Sequence, residues 1–287
     1  MRENHITGNP IVLALDPEFL PLYMEGNKGN SAGKDSYQSS IKGFTLTPNS
    51  NVKFSYPWSS NPEDGSIALH CIQDIITFNS WWRFSTYDFM NELKAADANP
   101  AFTAHLLYID SPGGEAFGLN EAHKVIRSLT KPVYAIVESR CCSAAYYLAS
   151  AADKIFATSP LSTIGSIGCM VTFCDSREYW EKNGIKEIEI YATKSIRKNK
   201  IYKDVLDGKV KDYITKVLDP AMDLFESNVR GARPTADESV YEGDSYYAEQ
   251  AQQLGLIDGV KTIEEVAEML SNKVENTKLS IQLSNLI

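Results

Sequence analysis

Two short stretches decide how this chain is read. The first is Asp110-Ser111-Pro112-Gly113-Gly114. The second, some thirty residues later, is Ser139-Arg140-Cys141-Cys142-Ser143-Ala144-Ala145-Tyr146-Tyr147. Each follows a short apolar run, at 104–109 and 132–137, and each precedes residues at helical spacing. Gly113 and Gly114 permit positive φ and a close backbone approach. Their position predicts amides at a helix N-terminus, where free N–H groups and the dipole favour negative charge. That is what an oxyanion hole requires, although a plain strand-to-helix turn explains the spacing equally well. A serine at the second turn is held at the carboxyl edge of a sheet, where open α/β folds place ligands. The simpler role for Ser143 is a helix N-cap.

Outward from these turns the texture is regular. Residues 67–76 read as a strand, and 86–98 as a helix with Phe89, Met90 and Leu93 on one side. Residues 115–129 place Leu119, Ala122, Val125, Ile126 and Leu129 at helical spacing. Helix 144–152 follows, then strand 154–157, a tight small-residue turn at 161–168 and a further strand at 185–191. Helices are expected at 210–230, 248–254 and 262–270. Residues 279–283 alternate strictly, as an edge strand or an interaction segment would. Strands alternating with helices indicate an α/β fold with a mainly parallel sheet and a helical C-terminal portion. More than half of residues 26–65 are Gly, Ser, Asn or Pro, so that region reads as loop. The expected organisation is a loop-rich N-terminal arm at 1–65, a core domain at 66–260, and a C-terminal helix and tail at 261–287.

Composition narrows the function. The 287 residues carry 28 basic against 37 acidic side chains, a net charge of −9, which disfavours general binding to nucleic acid. The acidity is uneven: residues 194–216 are markedly basic and 217–268 markedly acidic. No apolar run is long enough for a membrane span, and no signal peptide is expected at the N-terminus. Five cysteines, an odd number with no C-x-x-C, argue for a reducing, cytoplasmic compartment and against both a disulfide framework and a zinc site.

The run IDSPGG, then SAAYYLASAADKIFATSPLSTIGSIG about thirty residues on, resembles the SppA-type signal peptide peptidase family. The family pattern is SPGG, then ASGGYYIA and ADKIFA, then TGSIGV. Tyr241-Glu242-Gly243-Asp244 through Leu254-Gly255-Leu256-Ile257-Asp258 is similar to the family's closing motif. The likeness covers roughly residues 66–260. It implies the Clp/crotonase-like fold of repeated ββα/βαβ units and a serine peptidase with a Ser/Lys dyad. It also implies assembly into homo-oligomeric rings, in which the lysine can come from a neighbouring subunit, and no cofactor or metal.

A serine hydroxyl needs a base. Related Clp peptidases place a histidine about 25 residues after the serine. Here that position is Gly168, and the four histidines, at 5, 70, 105 and 123, all precede Ser143. A lysine with its pKa lowered by desolvation is the alternative. Aligning Lys194-Ser195 with the family's Lys-Ser assigns the base to Lys198. Matching Tyr202-Lys203-Asp204 instead assigns it to Lys203. The chain departs from the family where Ala144-Ala145 replaces Gly-Gly, and Cys142 sits one residue out of register as a rival nucleophile. Gly113, Gly114 and the Ala144 amide are expected to hold the oxyanion. The resemblance extends to phage or prophage head-maturation proteases, which cut scaffold and capsid precursors inside the prohead. Three rivals stay open: a cytoplasmic peptidase of cleaved signal peptides, an inactive assembly module, and a crotonase-type acyl-CoA enzyme.

Overall fold

The computed structural model describes residues 13–15, 45–46, 62, 64–80 and 82–284. Most of the expected N-terminal arm lies outside the described residues. A parallel core is built from β3 (Ser66–Gln73), β6 (Phe102–Ser111), β8 (Val133–Cys142) and β9 (Lys154–Ala157). β3 pairs with β6, β6 with β8, and β8 with β9, all parallel. β2 (Thr45–Leu46) and β11 (Ser245–Tyr247) close the ends of the sheet with antiparallel pairings. The mainly parallel α/β sheet expected from the sequence is therefore present.

Both faces of this sheet are apolar, as parallel sheets require. Leu107, Ile109, Val133, Ala135 and Val137 point into one cluster. It is completed by α1 (Thr86–Ala98), α2 (Leu119–Ser128), α3 (Ala144–Ser150) and, later in the chain, Phe225 and Val229. The alternate residues Ala104, Leu106, Tyr134 and Ile136 pack on the other face, against Val266 and Leu270 of the C-terminal helix. Ser85 caps α1 by accepting the Asp88 N–H at 3.2 Å.

A second, small sheet lies beside the first. Its order is β1 (Leu13–Leu15), β7 (Gly113–Glu115), β4 (Ile76–Thr77), β5 (Phe84–Ser85). This corrects one expectation. Gly113 and Gly114 do not open a helix; they form a strand, and α2 begins only after Gly118, whose φ of 84° turns the chain. Gly114 must be glycine there, because a Cβ would lie 2.0 Å from the Ile76 carbonyl oxygen.

Three other expectations change. Residues 185–191 form no strand; Ile185, Ile188 and Ile190 are exposed, and no described strand pairs with them. Apolar alternation makes a strand only where a partner satisfies its backbone. The long helix at 210–230 is divided into α6 (Lys211–Tyr213), a π-helical turn (Ile214–Leu218) and α7 (Asp219–Ala232). Pro220 lacks the N–H that would bond residue 216, so the turn widens before it. The alternating residues 279–283 belong to a continuous helix, Ile263–Ser284, rather than an edge strand. None of the described helices is long and apolar enough to cross a membrane.

Candidate active site

β8 changes neighbours along its length. Tyr134–Val137 pairs with β9, whereas Arg140, Cys141 and Cys142 pair with β10 (Thr163–Gly165). The far half of β8 is thus steered away from β9, and the chain must turn sharply into α3. Ser143 makes that turn at φ 55° and ψ −120°. A positive φ on a non-glycine residue is strained and persists only where the surroundings enforce it. Here the Ser143 N–H donates to the Gly165 carbonyl at 2.8 Å, and the Ser143 carbonyl accepts from Tyr147 N–H at 2.9 Å.

The walls of the turn are as constrained. Gly165 has φ 119°, and a Cβ there would lie 2.7 Å from the Asp244 carbonyl oxygen. The next residue, Ser166, also has positive φ, and its N–H donates to that same Asp244 oxygen at 2.7 Å. The 161–168 turn and the 241–258 segment, separate in sequence, therefore grip one another around Ser143.

α3 is buried along its whole length, which the five alanines among the nine residues at 144–152 allow. Tyr146 Oη donates to the Leu256 carbonyl at 2.8 Å, and Tyr147 Oη meets the Asn228 amide. Asp258 accepts from Ile155 N–H and pairs with Lys154 and Arg233, at 2.8, 2.8 and 2.9 Å. Burial opposes its ionisation, yet these partners hold its pKa below the usual carboxylate range. The closing motif thus positions the helix that Ser143 opens. Asn228 and Arg233 had no signal in the sequence, because their partners lie 81 and 25 residues away.

Ser111 pairs with Cys141 across β6 and β8, so the Pro112-Gly113-Gly114 turn leaves the sheet level with the Ser143 turn. α3 packs against β7. Gly113 has φ 105°, and its N–H donates to Ser111 Oγ at 3.2 Å. Ala144, first in α3, has no intrahelical acceptor for its N–H. The strand of Gly113 and Gly114 thus packs against the helix that Ala144 begins.

The lysines are placed differently. Ser143 is 1% exposed, and among the described residues none hydrogen-bonds its hydroxyl. Lys198 lies in an exposed loop before α5 (Lys200–Leu206). Lys203, on α5, pairs with Glu189 and lies 4.9 Å over the Tyr191 ring. Glu189, followed by Tyr191, raises its pKa rather than lowering it. Among the described residues Lys198 is exposed and Lys203 half-buried, so neither is enclosed.

Cys142 is buried, with its thiol 3.7 Å from the Thr163 carbonyl. His123 on α2 is buried and stacks edge-on against Tyr147 at 5.4 Å. Burial, then the Arg127 charge, lowers its pKa to about 4, so the ring is neutral near pH 7. Among the described residues no cluster of His, Cys, Asp and Glu could hold a metal ion.

Comparison with known proteins gives consistent relatives. The chain is 26% identical over 211 residues to a protein of Enterococcus faecium named as a signal peptide peptidase, SppA; this covers 69% of the chain and 59% of the relative. It is 30% identical over 175 residues to the head-tail preconnector protein of Enterobacteria phage P21, covering 60% and 32%. It is 28% identical over 170 residues to the capsid assembly protease C of Escherichia phage lambda, covering 58% and 38%. The chain thus spans three fifths or less of these relatives. A ClpP1 variant from Listeria monocytogenes overlaps it at TM-score 0.43 and 12% identity, over 69% of this chain and 94% of that one. The sequence profile of Peptidase family S49 matches residues 126–277, just over half of the chain. The chain belongs to peptidase family S49.

Proposed function

We propose that the protein is a serine endopeptidase in which Ser143 is the nucleophile and Lys198 the base, with Lys203 as the alternative. The observation that carries this reading is the Ser143 turn: a strained serine between strand and helix, level with a glycine strand. Ser143 Oγ gives its proton to the lysine amine and attacks the substrate carbonyl carbon. The carbonyl oxygen becomes an oxyanion, held by the Gly113-Gly114 strand and the Ala144 N–H. For Gly113 to donate, it must give up its 3.2 Å bond to Ser111 Oγ. Collapse of the tetrahedral species breaks the C–N bond, and the lysine returns the proton to the leaving amine. Water then hydrolyses the acyl-enzyme, with the lysine again as base.

The base reaches Ser143 from a neighbouring copy in a homo-oligomer. Two observations support this. Neither lysine hydrogen-bonds the Ser143 hydroxyl among the described residues, and the segment that carries them exposes Ile185, Ile188, Ile190, Ile196 and Val210. Apolar surface gathered this way marks an interaction face.

The substrate we propose is a scaffold or capsid precursor, cut in the host cytoplasm or prohead. Two phage relatives, named a capsid assembly protease and a head-tail preconnector, support this reading. The relative named SppA supports signal peptides as the second reading. Incubation with a capsid or scaffold precursor and with a signal peptide separates the two. Ser143→Ala must abolish cleavage; cleavage retained in that variant excludes the proposed mechanism and favours an inactive-site reading. Mixing inactive Ser143→Ala with inactive Lys198→Ala should restore partial activity if the base comes from a neighbour. No recovery places the base within one chain.

A further inference from the structure

We propose that residues 13–15 of the chain lie in the track that a peptide substrate takes beside Ser143, as an intramolecular competitor. The inference rests on the peptidase reading of the site. β7 carries Gly113 and Gly114 and packs against the helix that Ser143 opens. One edge of β7 is taken by β4, through Ile76 and Gly114. The other edge is taken by Leu13–Leu15, which runs antiparallel with Leu13 opposite Glu115, Ala14 opposite Gly114 and Leu15 opposite Gly113.

A strand edge presents N–H and C=O groups to any extended chain, and peptide recognition by strand addition uses those main-chain bonds. Two of the three β7 residues are glycines, so this edge offers backbone and little side chain. It therefore selects an extended conformation over a particular sequence. The edge also belongs to the strand proposed to hold the oxyanion, so a segment on it passes close to the reacting serine. Leu13–Leu15 is such a segment. Its ladder is three residues long, and a ladder that short is weak enough to yield to another peptide. The predicted substrate class is an extended peptide bound antiparallel to Gly113–Glu115.

The test uses the full chain and an internally quenched peptide. Ala14→Pro and the double change Leu13→Pro/Leu15→Pro remove backbone donors from alternate positions, so one of them breaks the ladder. In that variant KM should fall with kcat retained, by about tenfold if the track is open one-tenth of the time. An unchanged or raised KM in both variants overturns the proposal. A complementary variant, Leu13→Cys/Glu115→Cys, covers the case in which the proline changes unfold the chain. Residues opposed in an antiparallel pair are about 4.5–5.5 Å apart at Cα, within disulfide range. Oxidation should suppress cleavage by more than about tenfold, and reduction should restore it, with Glu115→Cys alone unaffected by oxidation. Full activity in the cross-linked form overturns the proposal. Ser143→Ala separates the two levels. Cleavage retained in Ser143→Ala removes the peptidase reading and this proposal with it. Cleavage lost there, with the strand variants unaltered, removes this proposal alone.

Discussion

The Ser143 amide donates to the Gly165 carbonyl across 2.8 Å, and this bond ties the turn into α3 to the last residue of β10. Gly165 is itself held at φ 119° against Asp244. Gly165→Ala must then move either the chain at 244 or the Ser143 turn. The variant should lose at least about 2 kcal/mol of stability, combining a forbidden φ with a backbone clash. Its activity per folded molecule should also fall more than about tenfold, because a displacement of 1 Å at a reacting group costs on that order or more. Urea unfolding and peptide turnover on the same sample check both.

The strain at Ser143 gives a second expectation, of opposite sign for stability and activity. A non-glycine residue at φ 55° and ψ −120° is destabilising. Ser143→Gly should therefore raise stability by about 1 kcal/mol, the relief of strain outweighing glycine's entropy cost. The same change should remove turnover. A thermal melt that moves upward while cleavage disappears is the predicted pair of results.

The lysines can be told apart directly. Lys198→Ala should lower kcat/KM by about a thousandfold. Lys203→Ala breaks the pairing with Glu189 and the contact with Tyr191, and should cost less than about tenfold. The reverse order of effects, measured under first-order conditions, reassigns the base to Lys203.

How the chain reads from its sequence follows from the range of the interactions. The β–turn–α texture around Ser143 is legible because alternation and helical spacing are local, and α1 runs over the predicted 86–98. The glycine pair carries the local pattern of a helix start, yet it forms β7 through pairing with residues 13–15 and 76, neighbours no local pattern reveals. Residues 185–191 show the converse: the apolar pattern of a strand is present, but no described strand lies beside it. Asn228 and Arg233 stayed invisible for the same reason, since each acts on a partner distant in sequence.

Stability should depend on pH through two buried imidazoles. His105 is lowered to about 3 by burial, then by His70, and His123 to about 4 by burial, then by Arg127. Asp97 accepts from His105 at 3.2 Å, but this opposing influence is outweighed. With folded values below the ordinary imidazole value of 6.5, the unfolded chain binds protons that the folded chain does not. The stability these neutral rings allow is present above pH 6.5 and is lost as pH falls from there toward 4. Each ring contributes a slope of at most about 1.4 kcal/mol per pH unit in that window. Urea midpoints should be lower at pH 5 than at pH 7. His123→Leu should flatten the difference, since His123 Nε2 is buried with no partner among the described residues.

The nucleophile is the centre of the account, and a covalent label tests it most directly. The protein is treated with a fluorophosphonate probe, digested, and the modified residue located by tandem mass spectrometry. The predicted result is a single adduct on Ser143, absent when the protein is unfolded before labelling. An adduct on another residue such as Cys142, or cleavage activity that survives with Ser143 unmodified, would contradict it.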